Sequence, residues 1–173
     1  MPPNKDLVGK NIIFINSGGK KKKFTLEKAK SLGLNIILVN QKLDTNKKLV
    51  DFFIEADTYN HKEVIEKLKT FQKNNPEIKF DGAITFWEDD IPVLARVCEE
   101  FKLSGNSYET SIRTRNKYEM RKRLAETNLG NPLFQVVKNK NDLKKGMEEI
   151  GFPAVMKPAW GADSEFVILV KNE

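Results

Sequence analysis

Short apolar runs alternate with helix-period patterns from Asn11 to Phe101. Asn11–Asn16 (NIIFIN) and Asn35–Asn40 (NIILVN) are two such runs, rich in β-branched residues and bounded by polar ones, so each reads as a strand. Between them Phe24–Gly33 reads as a helix that ends at a glycine cap. Asp51–Ala56 is a weaker third strand. From His61 to Asn74 the apolar positions Val64, Ile65, Leu68 and Phe71 share one helical face, and Pro76 stops the helix. Asp81–Trp87 is a fourth strand. Ile91, Leu94, Ala95, Cys98 and Phe101 then repeat at helical spacing, which puts Cys98 on a buried stripe. Strands alternating with helices predict an α/β fold around a mainly parallel sheet.

The pattern changes after Ser104-Gly105-Asn106, and the domain boundary is expected there, giving regions 1–105 and 106–173. The second region opens with a basic helix, about Asn116–Asn128. It continues through a turn at Gly130-Asn131-Pro132, a strand Leu133–Val137, and a helix with Leu143, Met147 and Ile150 on one face. A strand, loop and strand over Ala154–Val170 complete it. The sequence reaches Glu173 soon after that last strand, and the chain is expected to be the front part of an enzyme.

Composition narrows the class. Of 173 residues, 39% are hydrophobic and 31% charged, as in a soluble α/β protein expected in the cytoplasm. No apolar stretch approaches the roughly 20 residues that span a bilayer, and Met1–Lys10 lacks the apolar segment of a signal peptide. With one cysteine and one histidine there is no disulfide framework or Cys/His metal site, so any metal would need oxygen ligands. For Cys98 an inert core thiol is favoured over a reactive one. The net charge of +6 and the run Lys20–Lys23 invite a nucleic-acid reading. The other basic residues are scattered among acidic ones, and the aromatic interleaving of a nucleic-acid module is absent, so nucleic acid is not an expected partner.

The residues that could carry chemistry lie mostly in the second region. Lys157 follows Pro153-Ala154-Val155-Met156 and precedes Pro158, which places it at the end of a buried strand where its charge needs an anion. A lysine snorkelling from a strand end is the competing reading. In the loop beside it Gly161, Ala162 and Ser164 are small enough for backbone to approach a ligand, and Ser164 adds a hydroxyl donor. A plain hairpin turn competes here, although Ala159–Glu165 is longer than a tight hairpin requires. Most of the basic cluster Arg115–Arg123 reads as a solvated helical face. Lys117 stands out, because a lysine in a helix's first turn opposes the macrodipole unless an anion lies near.

RNKYEMRKRL, a turn ending in Pro132, a strand, a helix and GFPAVMKPAWGADSEFV together resemble the first lobe of an ATP-grasp fold. The likeness is to its carboxylate–amine ligase branch, which also resembles biotin carboxylase. The preceding region, with NSGG after its first strand and FDGAITFWEDD at its fourth, resembles the Rossmann-like pre-ATP-grasp domain. The resemblance implies a parallel-sheet domain followed by the first (α+β) lobe of a truncated ATP-grasp domain. It also implies that Lys117 and Lys157 contact ATP phosphates and that the loop Gly161–Glu165 folds over the β and γ phosphates. The family chemistry is ATP-dependent activation of a carboxylate as an acyl phosphate, then attack by an amine or another nucleophile, with magnesium bridging the phosphates.

The loop departs from the family in having only Gly161 where many relatives carry several glycines. The resemblance further places the magnesium-binding carboxylates beyond Glu173, so this chain alone is not expected to be active. In the first region Glu88, Ser17 and Gly18 fall at the carboxyl ends of parallel strands, where such sheets bind ligands. Glu88 is the candidate for an amine substrate, against the reading that Glu88–Asp90 merely cap the following helix. The expected partners are ATP and small-molecule carboxylate and amine substrates, with a homodimer left open and no membrane contact. Two other functions compete: a stand-alone Rossmann-type dinucleotide module, weakened by the missing GxGxxG, and a basic nucleic-acid binder.

Overall fold

The computed structural model describes residues 6–172. It divides into two compact units, Met1–Ser111 and Ile112–Glu173. The division falls inside a helix, and the boundary expected at Gly105 lies in the loop before that helix.

The first unit is built from β1 (Asn11–Ile15), α1 (Lys23–Ser31), β2 (Asn35–Asn40), β3 (Phe52–Glu55), α2 (His61–Asn74), β4 (Gly82–Ile84), α3 (Ile91–Glu100) and the start of α4 (Tyr108–Arg115). The four strands form one sheet in the order β3-β2-β1-β4, and every pairing is parallel. This is the expected α/β class. Parallel strands need helical crossovers on the faces of the sheet, so both faces must be apolar. The sequence meets that demand by alternation within uninterrupted apolar runs. Ile13, Ile15, Ile37 and Val39 join Val64, Leu68, Val93 and Val97 in one core cluster. Phe14, Ile36 and Leu38 join Leu26 and Ala29 of α1 in another. Each such fully buried side chain stabilises the fold by about 1.5–3 kcal/mol relative to exposure.

Helix ends follow local chemistry. Asn60 Oδ1 accepts from the Glu63 N–H at 3.2 Å, the cap that starts α2, and Asn60 Nδ2 donates to Glu63 Oε2 at 3.4 Å. After α1, Gly33 adopts φ 85°, and a Cβ there would meet Val8 Cγ2 at 2.9 Å. Only glycine ends the helix cheaply at that point. The structure departs from the expected elements in three places. The run Lys20–Lys23 is absorbed into a 3-10 turn at Gly19–Lys22 and the first residue of α1. The fourth strand is shorter than expected and pairs with β1 over Gly82–Ile84. The α4 helix was not expected. Its start is marked by Ser107, whose Oγ accepts from the Thr110 N–H at 3.2 Å.

The second unit holds α5 (Lys117–Ala125), α6 (Lys140–Ile150), and the antiparallel pair β5 (Ala154–Met156) and β6 (Ile168–Val170). The strand expected at Leu133–Val137 does not form: the segment carries no strand assignment and no ladder hydrogen bond. Pro132 supplies no donor, and Leu133 is 73% exposed. The segment is instead held by side chains. Asn131 Nδ2 donates to the Arg121 carbonyl at 2.9 Å, and Tyr118 meets Phe134 edge-on at 6.0 Å. The Phe152–Pro153 peptide bond before β5 is cis. Among the described residues no helix is long and apolar enough to cross a membrane.

Candidate functional site

In the second unit Asn116 sets the position of Lys117. Its Oδ1 accepts from the Tyr118 and Glu119 N–H groups at 3.0 and 3.2 Å, which starts α5 and makes Lys117 the first helical residue. Lys117 is then tied twice to the segment that leaves β5. Its backbone N–H donates to the Ala159 carbonyl at 2.9 Å, and its Nζ donates to the Gly161 carbonyl at 2.9 Å. The sequence argument required a negative partner near Lys117. A carbonyl dipole meets part of that requirement from within the protein.

Lys157 stands two residues before Ala159, on the segment tied to α5. It is exposed and has no hydrogen-bond or ion-pair partner among the described residues. The expectation that it ends a buried strand is corrected: β5 is largely exposed, with Val155 at 57%. Among the described residues the strand pairs with one neighbour, β6. The cation is therefore presented by a strand end open to solvent.

The loop from Lys157 to Val167 is longer than a tight hairpin. Gly161 adopts φ 141°, and Asp163, Ser164 and Phe166 adopt φ 52°, 61° and 56°. Three side-chain-bearing residues in the left-handed region are unusual, and for the bulky Phe166 the conformation is an outlier. Two turn bonds hold the loop, Glu165 N–H to Ala162 O at 3.1 Å and Val167 N–H to Ser164 O at 3.3 Å. Strain of this kind concentrates at ligand clamps and switch segments.

In the first unit β1 pairs with β2 on one side and β4 on the other, so the order reverses beside β1. The segment after β1 is strongly organised. Asn16, Gly18 and Gly19 all take left-handed φ values, 66°, 68° and 60°. The Gly18 N–H donates to Asn16 Oδ1 at 2.8 Å, and the Gly19 N–H to Ser17 Oγ at 2.9 Å. Ser17 is buried, and its hydroxyl donates to Asp44 Oδ1 at 2.5 Å. Asn40, the last residue of β2, donates to the same Asp44 oxygen at 3.2 Å. Ser17 Oγ is thus engaged within the protein, while Gly18 is held in a backbone shape that few other residues would take. Glu88 opens a 3-10 turn, Glu88–Asp90, before α3. Asp90 occupies the N-cap position but makes no side-chain capping bond, so the capping reading of this acidic run fails for Asp90.

Asp90 is also the residue that sequence reasoning passed over. It is 1% exposed, and burial holds its carboxyl above the usual carboxylate range. Nearby Tyr59 is raised as well, first by burial and then by Asp89, Asp90 and Asp57. Among the described residues no three His, Cys, Asp or Glu side chains stand together as metal ligands.

Comparison with known proteins gives a consistent result. Residues 26–105 match the ATP-grasp N-terminal domain family. Carnosine synthase 1 of Mus musculus is 27% identical over 95% of this chain and 21% of its own length, and the Homo sapiens protein is likewise 27% identical. The chain therefore spans about a fifth of the curated relatives it matches. Among solved structures, the L-amino acid ligase of Bacillus licheniformis matches with a TM-score of 0.75 and 25% identity, over 95% of this chain and 40% of that one. The N5-carboxyaminoimidazole synthetase of Staphylococcus aureus, complexed with ADP, matches with a TM-score of 0.73 and 21% identity over 98% and 43%. At that identity it speaks for the fold alone.

Proposed function

Because the chain belongs to the ATP-grasp superfamily, we propose that it is the ATP-binding N-terminal part of a ligase that joins a carboxylate to an amine. The observation that supports this most directly is the double tie from Lys117 to the segment carrying Lys157 and the strained loop. It gathers one cation and a backbone-rich loop beside a helix N-terminus, with a second, unpartnered cation on the same segment. That donor set suits a polyphosphate.

In this reading Lys117 and Lys157 hold the ATP phosphates, and the backbone of Gly161, Ala162 and Ser164 covers them. When bound, ATP supplies the phosphoryl group that activates the carboxylate as an acyl phosphate. Fixed cations beside the transferred group stabilise the charge that develops there, the main service a protein offers phosphoryl transfer. Among the described residues no cluster of His, Cys, Asp or Glu side chains fits magnesium. Ser17, Gly18 and Glu88 are assigned to the acceptor side, at the carboxyl ends of β1 and β4. Since one structural relative is an L-amino acid ligase, amino acids are the substrate class to examine first.

Calorimetric titration with ATP of the chain and of Lys157→Met tests the assignment. Loss of a charge-assisted contact should weaken binding by about 1–3 kcal/mol. Equal affinity in the two proteins would remove Lys157 from the site.

A further inference from the structure

Asp90 is a buried carboxyl that neither caps its helix nor meets solvent. Pro92, at the start of α3, removes one of the amides that an N-cap side chain would accept from. The carboxyl engages two other segments instead. Its Oδ2 accepts from Asn16 Nδ2 at 2.9 Å, and the Thr58 side chain stands near enough to favour its charged form. Asn16 directly follows β1, and Thr58, itself 3% exposed, lies between β3 and α2. The effect is relayed onward, because Asn16 Oδ1 accepts from the Gly18 N–H while Asn16 holds a left-handed φ. Asparagine takes that conformation more readily than other side-chain-bearing residues, and these two hydrogen bonds hold it there.

We propose that Asp90 is a positioning residue whose carboxyl pins the segments after β1 and β3 to the first turn of α3, fixing the backbone of Ser17 and Gly18. Calling those segments substrate-facing rests on the ligase reading above; the pin itself does not.

The pin is sensitive to protonation. Burial raises the Asp90 carboxyl first; Thr58 and Asn16 oppose it, Asp89 adds to it and His61 opposes it. Arg96, beside His61, completes the charged surroundings. Oδ1 has no hydrogen-bond partner among the described residues, so ionisation leaves a buried charge only half satisfied. The folded chain therefore keeps the Asp90 proton where the unfolded chain has released it. The stability this group contributes is complete below the unfolded value of 3.8 and is lost as pH rises through the raised folded value.

Amide exchange by NMR on Asp90→Ala and Asp90→Asn tests the proposal. The alanine variant should speed exchange at Gly18, Gly19 and Tyr59 by about tenfold while β2 amides stay unchanged, the scale set by losing hydrogen bonds to a carboxyl. Asparagine keeps an oxygen for Asn16 and Thr58 and should restore protection. Over the pH range above 3.8 the melting temperature of the parent should fall relative to Asp90→Asn. Unchanged exchange at those three amides in the alanine variant, or equal loss in both variants, would overturn the proposal. Should the alanine variant not fold, parallel melting profiles of parent and Asp90→Asn across that pH range would do the same. ATP affinity read on the same samples tests the ligase reading separately, since Lys117 and Lys157 are untouched.

Discussion

Replacing Lys117 by methionine keeps the length and apolar stem of the side chain but deletes its charge and its bond to the Gly161 carbonyl. The two consequences differ in sign. A lysine in the first turn of α5 opposes the helix dipole, so α5 should gain roughly 0.3–1 kcal/mol when the charge goes. The loop should lose instead. Its hydrogen bond from Nζ is 2.9 Å long, and such bonds to charged groups contribute about 1.5–3 kcal/mol net. Lys117 is only half-buried, and discounting for solvent leaves about 1 kcal/mol, roughly a fivefold change in local opening. The backbone bond from Lys117 to Ala159 survives the substitution, so the loosening should stay inside the loop. Hydrogen exchange followed by NMR should show Glu165 and Val167 amides exchanging about fivefold faster, with Tyr118 and Glu119 amides unchanged or slower. ATP affinity should fall by about 1–3 kcal/mol in the same variant. Equal exchange at Glu165 and Val167 together with unaltered ATP affinity would refute the reasoning, because no second tie from the Lys117 side chain to the loop exists among the described residues.

His61 gives a pH prediction of the opposite sign to Asp90. Its imidazole is lowered below 6.5, first by burial and then by Arg96, with Asp90 opposing. The unfolded chain then binds the proton more readily, so stability should fall as pH drops below about 6.5, and a pH series of melting temperatures should be flatter in His61→Gln. Gly105→Ala should destabilise the first unit by about 1–3 kcal/mol in urea unfolding, as overpacking does, since the added Cβ would lie 2.7 Å from Cys98 Sγ; a shift under about 0.5 kcal/mol would show that the loop yields.

The first unit was legible because its strands are buried on both faces. A strand that must satisfy two apolar layers writes a continuous apolar run, and NIIFIN and NIILVN fall within a residue of β1 and β2. Amphipathic α2 was read to the residue from its single apolar stripe and the stop at Pro76. In the second unit that logic had less to act on. Leu133–Val137 has the composition of a strand, but strand formation depends on a neighbour to pair with, which composition does not encode. The short helix α4 lacked a clear apolar stripe, and its one local signal, Ser107, was hidden by Gly105 and Asn106 before it.

The candidate sites divide along the same line. Lys117 and the loop could each be singled out from sequence because each carries an oddity that local rules register: a cation where the helix dipole disfavours one, and small residues in an overlong turn. Asp90 carries no such mark. An acid before a proline-led helix is what a cap looks like, and local rules give that reading. What removes it from the cap is long-range: the topology brings the ends of β1 and β3 to the start of α3, and there Asn16 offers a hydrogen bond and Thr58 a polar neighbour, where the helix is short of one amide at Pro92. Residues whose role is set by which strand ends meet are invisible to periodicity. In a parallel sheet they collect at the carboxyl edge, where ligands also bind, so a buried acid at that edge without its cap bond is a better guide to the site than the acidic run in which it sits.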